Sequence, residues 1–391
     1  MRQIWSIGGL FRLRAAHMRR RPFRTDSSRR RPARITHLAL LAACVVAGGG
    51  VAASVATDGF SDPLQVAARM SPLANSGLLL AVARSGERLV AVGQRGHIVV
   101  SADGGASWQQ SRVPVSSDLT AVFFVDAAKG WAVGHDGVIL HSSNGGKSWE
   151  LQLDGLRANE LLVAAMERKY GAAAASEEGQ RLLAEARRYK EQGADKPFLD
   201  VWFADGSTGY AVGAYNLIFR TDDGGKTWEP WFDRTENPKL FNLYSVRPGP
   251  GGLYVAGEGG LLMRLDASGE KFRALQTPYN GSFFGIVGTA DAALLAFGLR
   301  GNVYRSEDEG RSWTKVETGL PATVVAGTSD AAGTVYLADL GGRVVASADG
   351  GRSFGTLPTE RTMPLAGIAD AGSGRIALVG PRGVAVTAAK R

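Results

Sequence analysis

Cysteine is all but missing from this chain: Cys44 is the only one in 391 residues. With one thiol there is no internal disulfide and no thiolate metal cage, and beyond residue 44 no cysteine nucleophile. The shortage fits an oxidising compartment. Histidine is nearly as scarce. Only His97, His135 and His141 lie beyond residue 56, with no H-x-x-x-H or H-E-x-x-H spacing, which argues against a zinc site. Basic excess is missing from the body of the chain as well. The formal charge is +8, but residues 1–34 hold eleven Arg and one acid, Asp26, a balance of +10 that leaves −2 for the rest. A nucleic-acid surface is not implied at the level of the whole domain.

The arginine-rich head is followed by an uncharged run, residues 38–56, ending in Ser54, Val55 and Ala56. This is the three-part pattern of an export signal, and Met18 is an alternative start. Residues 1–56 are expected to be a signal peptide cleaved on export. A retained anchor is the second reading, weakened by Gly48, Gly49 and Gly50. Lipidation at Cys44, after Leu41-Ala42-Ala43, is the third. Each places the protein outside the cytoplasm, in the periplasm or on the outer face of the inner membrane.

What is abundant is glycine, 52 residues of it, and most of it is periodic. Residues 132–149, AVGHDGVILHSSNGGKSW, are written repeatedly. Aligned on Gly134, the equivalents are Gly93, Gly213, Gly257, Gly298, Asp339 and Gly380, with steps of 41, 79, 44, 41, 41 and 41 residues. The best copy reads as four short strands, residues 119–125, 131–134, 138–142 and 149–153, separated by Asp/Gly/Asn turns. Four strands per 41 residues, seven times, predicts an all-β, seven-bladed β-propeller over residues 77–391. A sandwich does not keep that period. The seventh copy stops after three strands, so the lead-in, residues 57–76, is expected to supply the missing one from residues 63–70, an N-terminal strand closing blade 7.

The long step contains 38 extra residues between blades 2 and 3, within residues 155–197. Residues 158–170 and 176–192 have helical spacing, Leu161, Leu162, Ala165, Met166 and then Leu182, Leu183, Ala186, Tyr189. Ser176 suits an N-cap, with Glu177 and Glu178 in the first turn. A helical hairpin joined around Gly171 is expected, packed on itself or on the ring, or serving as a docking arm.

Each repeat closes on Ser/Thr-x-Asp/Asn-x-Gly-x-x-aromatic. Five good copies occur: Ser101, Asp103, Gly105, Trp108; Ser142, Asn144, Gly146, Trp149; Thr221, Asp223, Gly225, Trp228; Ser306, Asp308, Gly310, Trp313; and Ser347, Asp349, Gly351, Phe354. Residues 265–272 are a degenerate copy. A hydroxyl and a carboxylate two residues apart bind turn amides, Gly permits positive φ, and the aromatic folds over the hairpin. This is the Asp-box of sialidase-type propellers, a brace for blades rather than a catalytic group.

The longer pattern adds A-V-G-x-x-G before the box and F-x-x-x-x-G-[WY] before that, as in residues 124–131 and 203–210. It resembles the photosystem II stability and assembly factor family and its relatives outside photosynthesis, over roughly residues 77–391. The resemblance implies a non-enzymatic seven-bladed propeller, acting as a monomer on the lumenal or periplasmic side, without cofactor or metal. Its partner would be a membrane-protein client, docked through an arginine-rich surface. The helical insert departs from the family pattern and makes another envelope complex the expected client. Two sets of residues are candidates for the docking patch. Arg95, Arg300 and Arg382 precede the turn glycine after the second strand, with His135 and Asp136 in the same turn of blade 2. Arg220, Arg264 and Arg305 share one position in the third strand of three successive blades.

Other chemistry is weakly written. No F/Y-R-I-P motif stands in the exported part. Gly145-Gly146-Lys147-Ser148 and Gly224-Gly225-Lys226-Thr227 mimic the end of a P-loop, but the first glycine is replaced by His141 or Arg220 and the turn joins strands. The boxes lack EF-hand carboxylate spacing. A carbohydrate-active propeller, hydrolase or lectin, is the alternative, and it requires a sugar-sized cleft with two carboxylates.

Overall fold

The computed structural model describes residues 61–172, 176–359 and 363–389; the expected leader, residues 1–56, lies outside them. Seven antiparallel sheets follow one another along the chain, spanning residues 79–110, 119–153, 198–230, 243–274, 283–316, 324–357 and 367–388. Each of the first six is a four-stranded meander with strands in sequence order. First strands of neighbouring sheets pack together around the whole ring, including the seventh against the first. The protein is a seven-bladed β-propeller.

Second strands make the ring compact because they are apolar on both faces. Trp131, Ala132 and Val133 are fully buried, as are Ala91, Ala211 and Ala296 two residues before their turn glycine. Small residues there let adjacent blades approach closely. Larger side chains fill the gaps left between blades: Trp131 of blade 2 stacks on Phe203 of blade 3 at 3.4 Å between ring centroids.

The seventh blade departs from expectation. Its sheet has three strands, and residues 63–70 add none to it. They turn at Asp62, whose carboxylate accepts the Leu64 amide, and cross the rim of blade 1: Ser116 donates to Pro63 O at 2.9 Å and Ala68 donates to Val113 O at 3.0 Å. Alternation in a short segment indicates extended chain but not which edge it joins. The lead-in meets blade 7 at its end, where the Asn75 carbonyl accepts Val384 N at 3.2 Å and Ala74 packs into the core shared by blades 1 and 7. Closure is instead side-to-side packing of blade 1 on blade 7. Leu79, Val82 and Ala91 share a core with Ala369, Ala377 and Val379, and Arg84 pairs with Asp370 at 3.3 Å.

The insert forms the hairpin α1 (Gly155–Tyr170) and α2 (Glu177–Gln192). Ser176 caps α2 through Gly179 N at 3.2 Å, while Asp154 caps α1 through Arg157 N at 2.8 Å, starting it three residues before the apolar spacing does. Leu162, Met166, Leu183 and Tyr189 are buried both between the helices and against Phe198, Leu217 and Phe232 of the ring. No described helix is long and apolar enough to cross a membrane.

Candidate docking face

Turns between second and third strands, together with the links from one blade to the next, occupy one face of the disc. In blades 1, 2, 3 and 5 the turn puts a non-glycine residue at positive φ, Arg95 (57°), Asp136 (57°), Tyr215 (53°) and Arg300 (57°). The following residue also has positive φ: Gly96, Gly137, Asn216 and Gly301. Two successive left-handed residues make the tight hairpin turn that matches strand twist. The turns of blades 1, 3 and 5 are tied to the start of the next blade. Arg95 N donates to Asp118 Oδ1 at 2.7 Å, and Tyr215 N to Asn242 Oδ1 at 2.8 Å. The backbone of these turns is therefore held while Arg95 and Arg300 are exposed on them.

Arg95, Arg300 and Arg382 are exposed, and no carboxylate among the described residues lies within ion-pair distance of them. His135 and Asp136 occupy the blade 2 turn, where Asp136 Oδ2 accepts Ser117 Oγ at 2.6 Å and Gly155 of α1 packs on Asp136 O. In blade 3 the equivalent residue is Tyr215, pinned by Tyr189 of α2, which donates to its carbonyl at 3.0 Å. The insert thus covers blades 2 and 3 of this face and leaves the arginines of blades 5, 7 and 1 open.

The second arginine set is spent on bracing. Arg264 of blade 4 pairs with Glu309 of blade 5 at 2.7 Å. Arg305 pairs with Asp291 at 2.7 Å and with Glu307, and its Nε donates to Gly350 O in the blade 6 box at 2.8 Å. Its side chain is 7% exposed. Arg220 pairs with Asp222 at 2.7 Å and lies over the Trp231 ring at 5.0 Å. These contacts sit by the boxes and first hairpin turns, on the other rim.

At the centre, a cavity of about 150 Å³ is lined by first strands of all seven blades. Pairing of first with second strands slips after one residue in blades 1 to 6, leaving Leu80, Thr120, Leu199, Tyr244, Phe284 and Val325 unpaired. All six line the cavity. A bulge frees one residue from the ladder and re-aims it; repeated, it builds a mainly apolar collar. The period-2 pattern of the strands conceals this. Tyr244 and Phe284 rings lie 4.9 Å apart there.

One carboxylate lines that cavity, Asp200, and it is engaged. It accepts Arg247 Nη1 at 2.6 Å and the amides of Val201 and Val246, each at 2.9 Å. Burial pushes its carboxyl up from the ordinary value, against the pull of Arg247 and the amides. The sequence signal for this pair was faint: a lone Asp in an apolar strand, FLDVWF. Among the described residues no group of three His, Cys, Asp or Glu is placed to hold a metal ion.

The boxes stand between third and fourth strands, away from this face. Ser101 Oγ accepts Gly105 N at 2.7 Å, and Asp103 Oδ1 accepts Ser107 N at 2.9 Å. Each box glycine presses on the preceding blade: a Cβ on Gly146 would lie 3.0 Å from Val90 Cγ2, and one on Gly351 2.6 Å from Leu295 Cδ1. Blade 4 reaches a similar turn differently. Asp266 accepts Ser268 Oγ at 2.6 Å and Glu270 N at 3.1 Å, and its pKa falls to about 2, chiefly through the Ser268 hydroxyl.

The family model described as photosynthesis system II assembly factor YCF48 matches residues 46–179 and 184–338. The photosystem II assembly lipoprotein Ycf48 of Synechococcus sp. (strain CC9902) is 32% identical over 140 residues, 35% of this chain and 38% of that protein. The match therefore spans well under half of that relative's length. Among solved structures, YCF48 bound to D1 peptide aligns with a TM-score of 0.58 at 14% identity, over 81% of this chain and 95% of that one. YCF48 from Cyanidioschyzon merolae aligns with a TM-score of 0.57 at 16% identity, over 81% and 97%. At these identities the two structures establish the fold.

Proposed function

This chain belongs to the photosynthesis system II assembly factor YCF48 family, and from that premise we propose that it is an exported, non-catalytic assembly scaffold. It holds an extended segment of an envelope membrane protein against the face carrying Arg95, Arg300 and Arg382. The observation that carries this reading is the contrast between the two arginine sets. One is buried or half-buried and engaged by carboxylates, Arg264 from the next blade and Arg220 and Arg305 from their own, whereas the other is exposed on turns and has no ion pair among the described residues. Rigid turns present a cation at little cost in ordering, which favours capture of an acidic or carboxylate-bearing segment.

A solved YCF48 holds a D1 peptide; for this chain the corresponding client is an outward-facing segment of a membrane protein, in photosystem II or another envelope complex. Among the described residues Asp200 is the only carboxylate lining the cavity, and its pairing with Arg247 disfavours a two-carboxylate hydrolase. The test is co-purification from solubilised envelope membranes, with and without residues 158–192, read by mass spectrometry. Reproducible recovery of one membrane complex is expected. Turnover of a glycoside panel with no membrane protein recovered overturns the reading.

A further inference from the structure

Large apolar side chains are rarely left exposed in this molecule, and the exceptions cluster. Among the described residues they are Val66 (41% exposed), Met70 (60%), Leu73 (68%), Leu151 (36%) and Leu156 (51%). Three of the five fall within eight residues of the lead-in. That segment is fastened rather than loose. Leu64 and Ala68 pack into the core between blades 1 and 2, and Ala74 is buried in the core between blades 1 and 7. Ser71 N donates to Gln110 Oε1 at 2.7 Å, and Gln110 Nε2 returns a bond to Arg69 O at 3.0 Å. The segment crosses the turn of blade 1 beside Gly96, where an added Cβ would lie 3.1 Å from Ala68 Cβ, and ends at the turn of blade 7.

Cations surround this apolar ridge. Arg69 lies within it, and Arg95 and Arg382 stand on the two turns it joins; all three are exposed. The two acids on the same elements, Asp62 and Asp118, accept the amides of Leu64 and Arg95 and keep their charge, which leaves the three arginines in excess. Apolar side chains ringed by arginine are the composition that lies in the boundary between headgroups and acyl chains of an anionic bilayer. A retained anchor or a lipidated Cys44, the second and third readings of residues 1–56, would place a bilayer within reach. The uncharged run of residues 38–56 ends ten residues before Val66, a length that spans at most about 36 Å.

We propose that residues 63–76 form a membrane-surface docking element, with Val66, Met70 and Leu73 entering an anionic bilayer and Arg69, Arg95 and Arg382 at its headgroups. The face that carries the exposed arginines then lies toward the membrane, where outward segments of membrane proteins emerge. The inference goes beyond the client reading and stands without it.

Residues 58–391 form one compact unit, so a chain beginning at Asp58 carries the ridge without the apolar run. Its co-sedimentation is measured with phosphatidylcholine vesicles containing or lacking phosphatidylglycerol. Binding to the anionic vesicles is expected. It should fall about tenfold or more in the double variant Met70→Glu, Leu73→Glu, about fivefold in Arg69→Gln, and not at all in Lys226→Gln, which changes an exposed cation in the blade 3 box on the other rim. Thermal unfolding of each variant verifies that the ring is intact. No binding to either vesicle overturns the proposal. So does binding that the Met70→Glu, Leu73→Glu pair leaves unchanged, which would mark a purely ionic association.

Discussion

Asn144 occupies the place that Asp holds in the other four good boxes, and the comparison isolates what the charge contributes. Its Oδ1 accepts Ser148 N at 3.0 Å as Asp308 Oδ1 accepts Ser312 N at 2.8 Å, while its Nδ2 donates to Ser148 Oγ at 2.8 Å. The geometry survives without ionisation. The Asp308 pKa is lowered to about 2 by the Ser312 hydroxyl, then by the Ser312 amide and the Ser306 hydroxyl; Asp103 and Asp349 are lowered in the same way. A folded value below the unfolded one stabilises fully above about pH 4 and is lost as pH falls toward 2. Asp308→Asn should therefore flatten the decline of stability between about pH 4 and 2, measured by urea unfolding across that range. An unchanged slope would contradict the assignment. These boxes were fully legible in the sequence because their chemistry is local.

The turn glycine was legible too, though its reason was not. Gly134 has extended φ of −174°, so conformational freedom does not explain it. A Cβ there would lie 2.1 Å from Asp118 O, and one on Gly93 or Gly298 would meet the equivalent carbonyl at 2.2 or 2.0 Å. Close approach of the backbone at the start of the same blade's first strand is the cause. Gly134→Ala should cost about 1–3 kcal/mol by urea denaturation. Gly355→Ala, with no atom within 4 Å of the added methyl, should stay within about 0.5 kcal/mol.

Elements read from periodicity fared according to how local their determinants are. The insert's apolar spacing identified both helices, since each buries one stripe. The beginning of α1 was concealed because Gly155 reads as a turn residue; its place follows from the Asp154 cap and from contact with Asp136 O across the face. Leu183 is 3% exposed where α2 meets the ring, so Leu183→Ala should lower stability by about 2–5 kcal/mol in thermal or urea unfolding. The lead-in was read as a strand from its alternating pattern. Its side chains do not alternate: Leu64 and Ala68 face the core, residues 65–67 between them are exposed, and backbone partners at Val113 and Ser116 place it on blade 1. Pairing between distant segments has no local trace, and for the same reason the bulge collar was invisible.

At the scale of the molecule, blades 1 and 7 close the ring by packing. Val386 of the final strand lies under Gly105 of the first box, and Arg375 donates to Gly104 O at 3.1 Å. A chain beginning at Gly77 should accordingly unfold in one cooperative transition with an unchanged radius of gyration, although less stable. A strand-latched ring would open on that truncation. The repeat count made the disc legible from sequence, and the aligned arginines followed from it. Which of them are free did not, because Glu309, Asp291 and Gly350 reach Arg264 and Arg305 from other turns and other blades.

The most direct measurement compares two triple variants in the same envelope co-purification, with thermal unfolding of each. Arg95→Gln, Arg300→Gln, Arg382→Gln should abolish recovery of the membrane client while leaving the unfolding temperature unchanged. Arg220→Gln, Arg264→Gln, Arg305→Gln should lower the unfolding temperature and retain the client whenever the ring is folded. Full client recovery by the first variant, with loss confined to the second, would contradict the account.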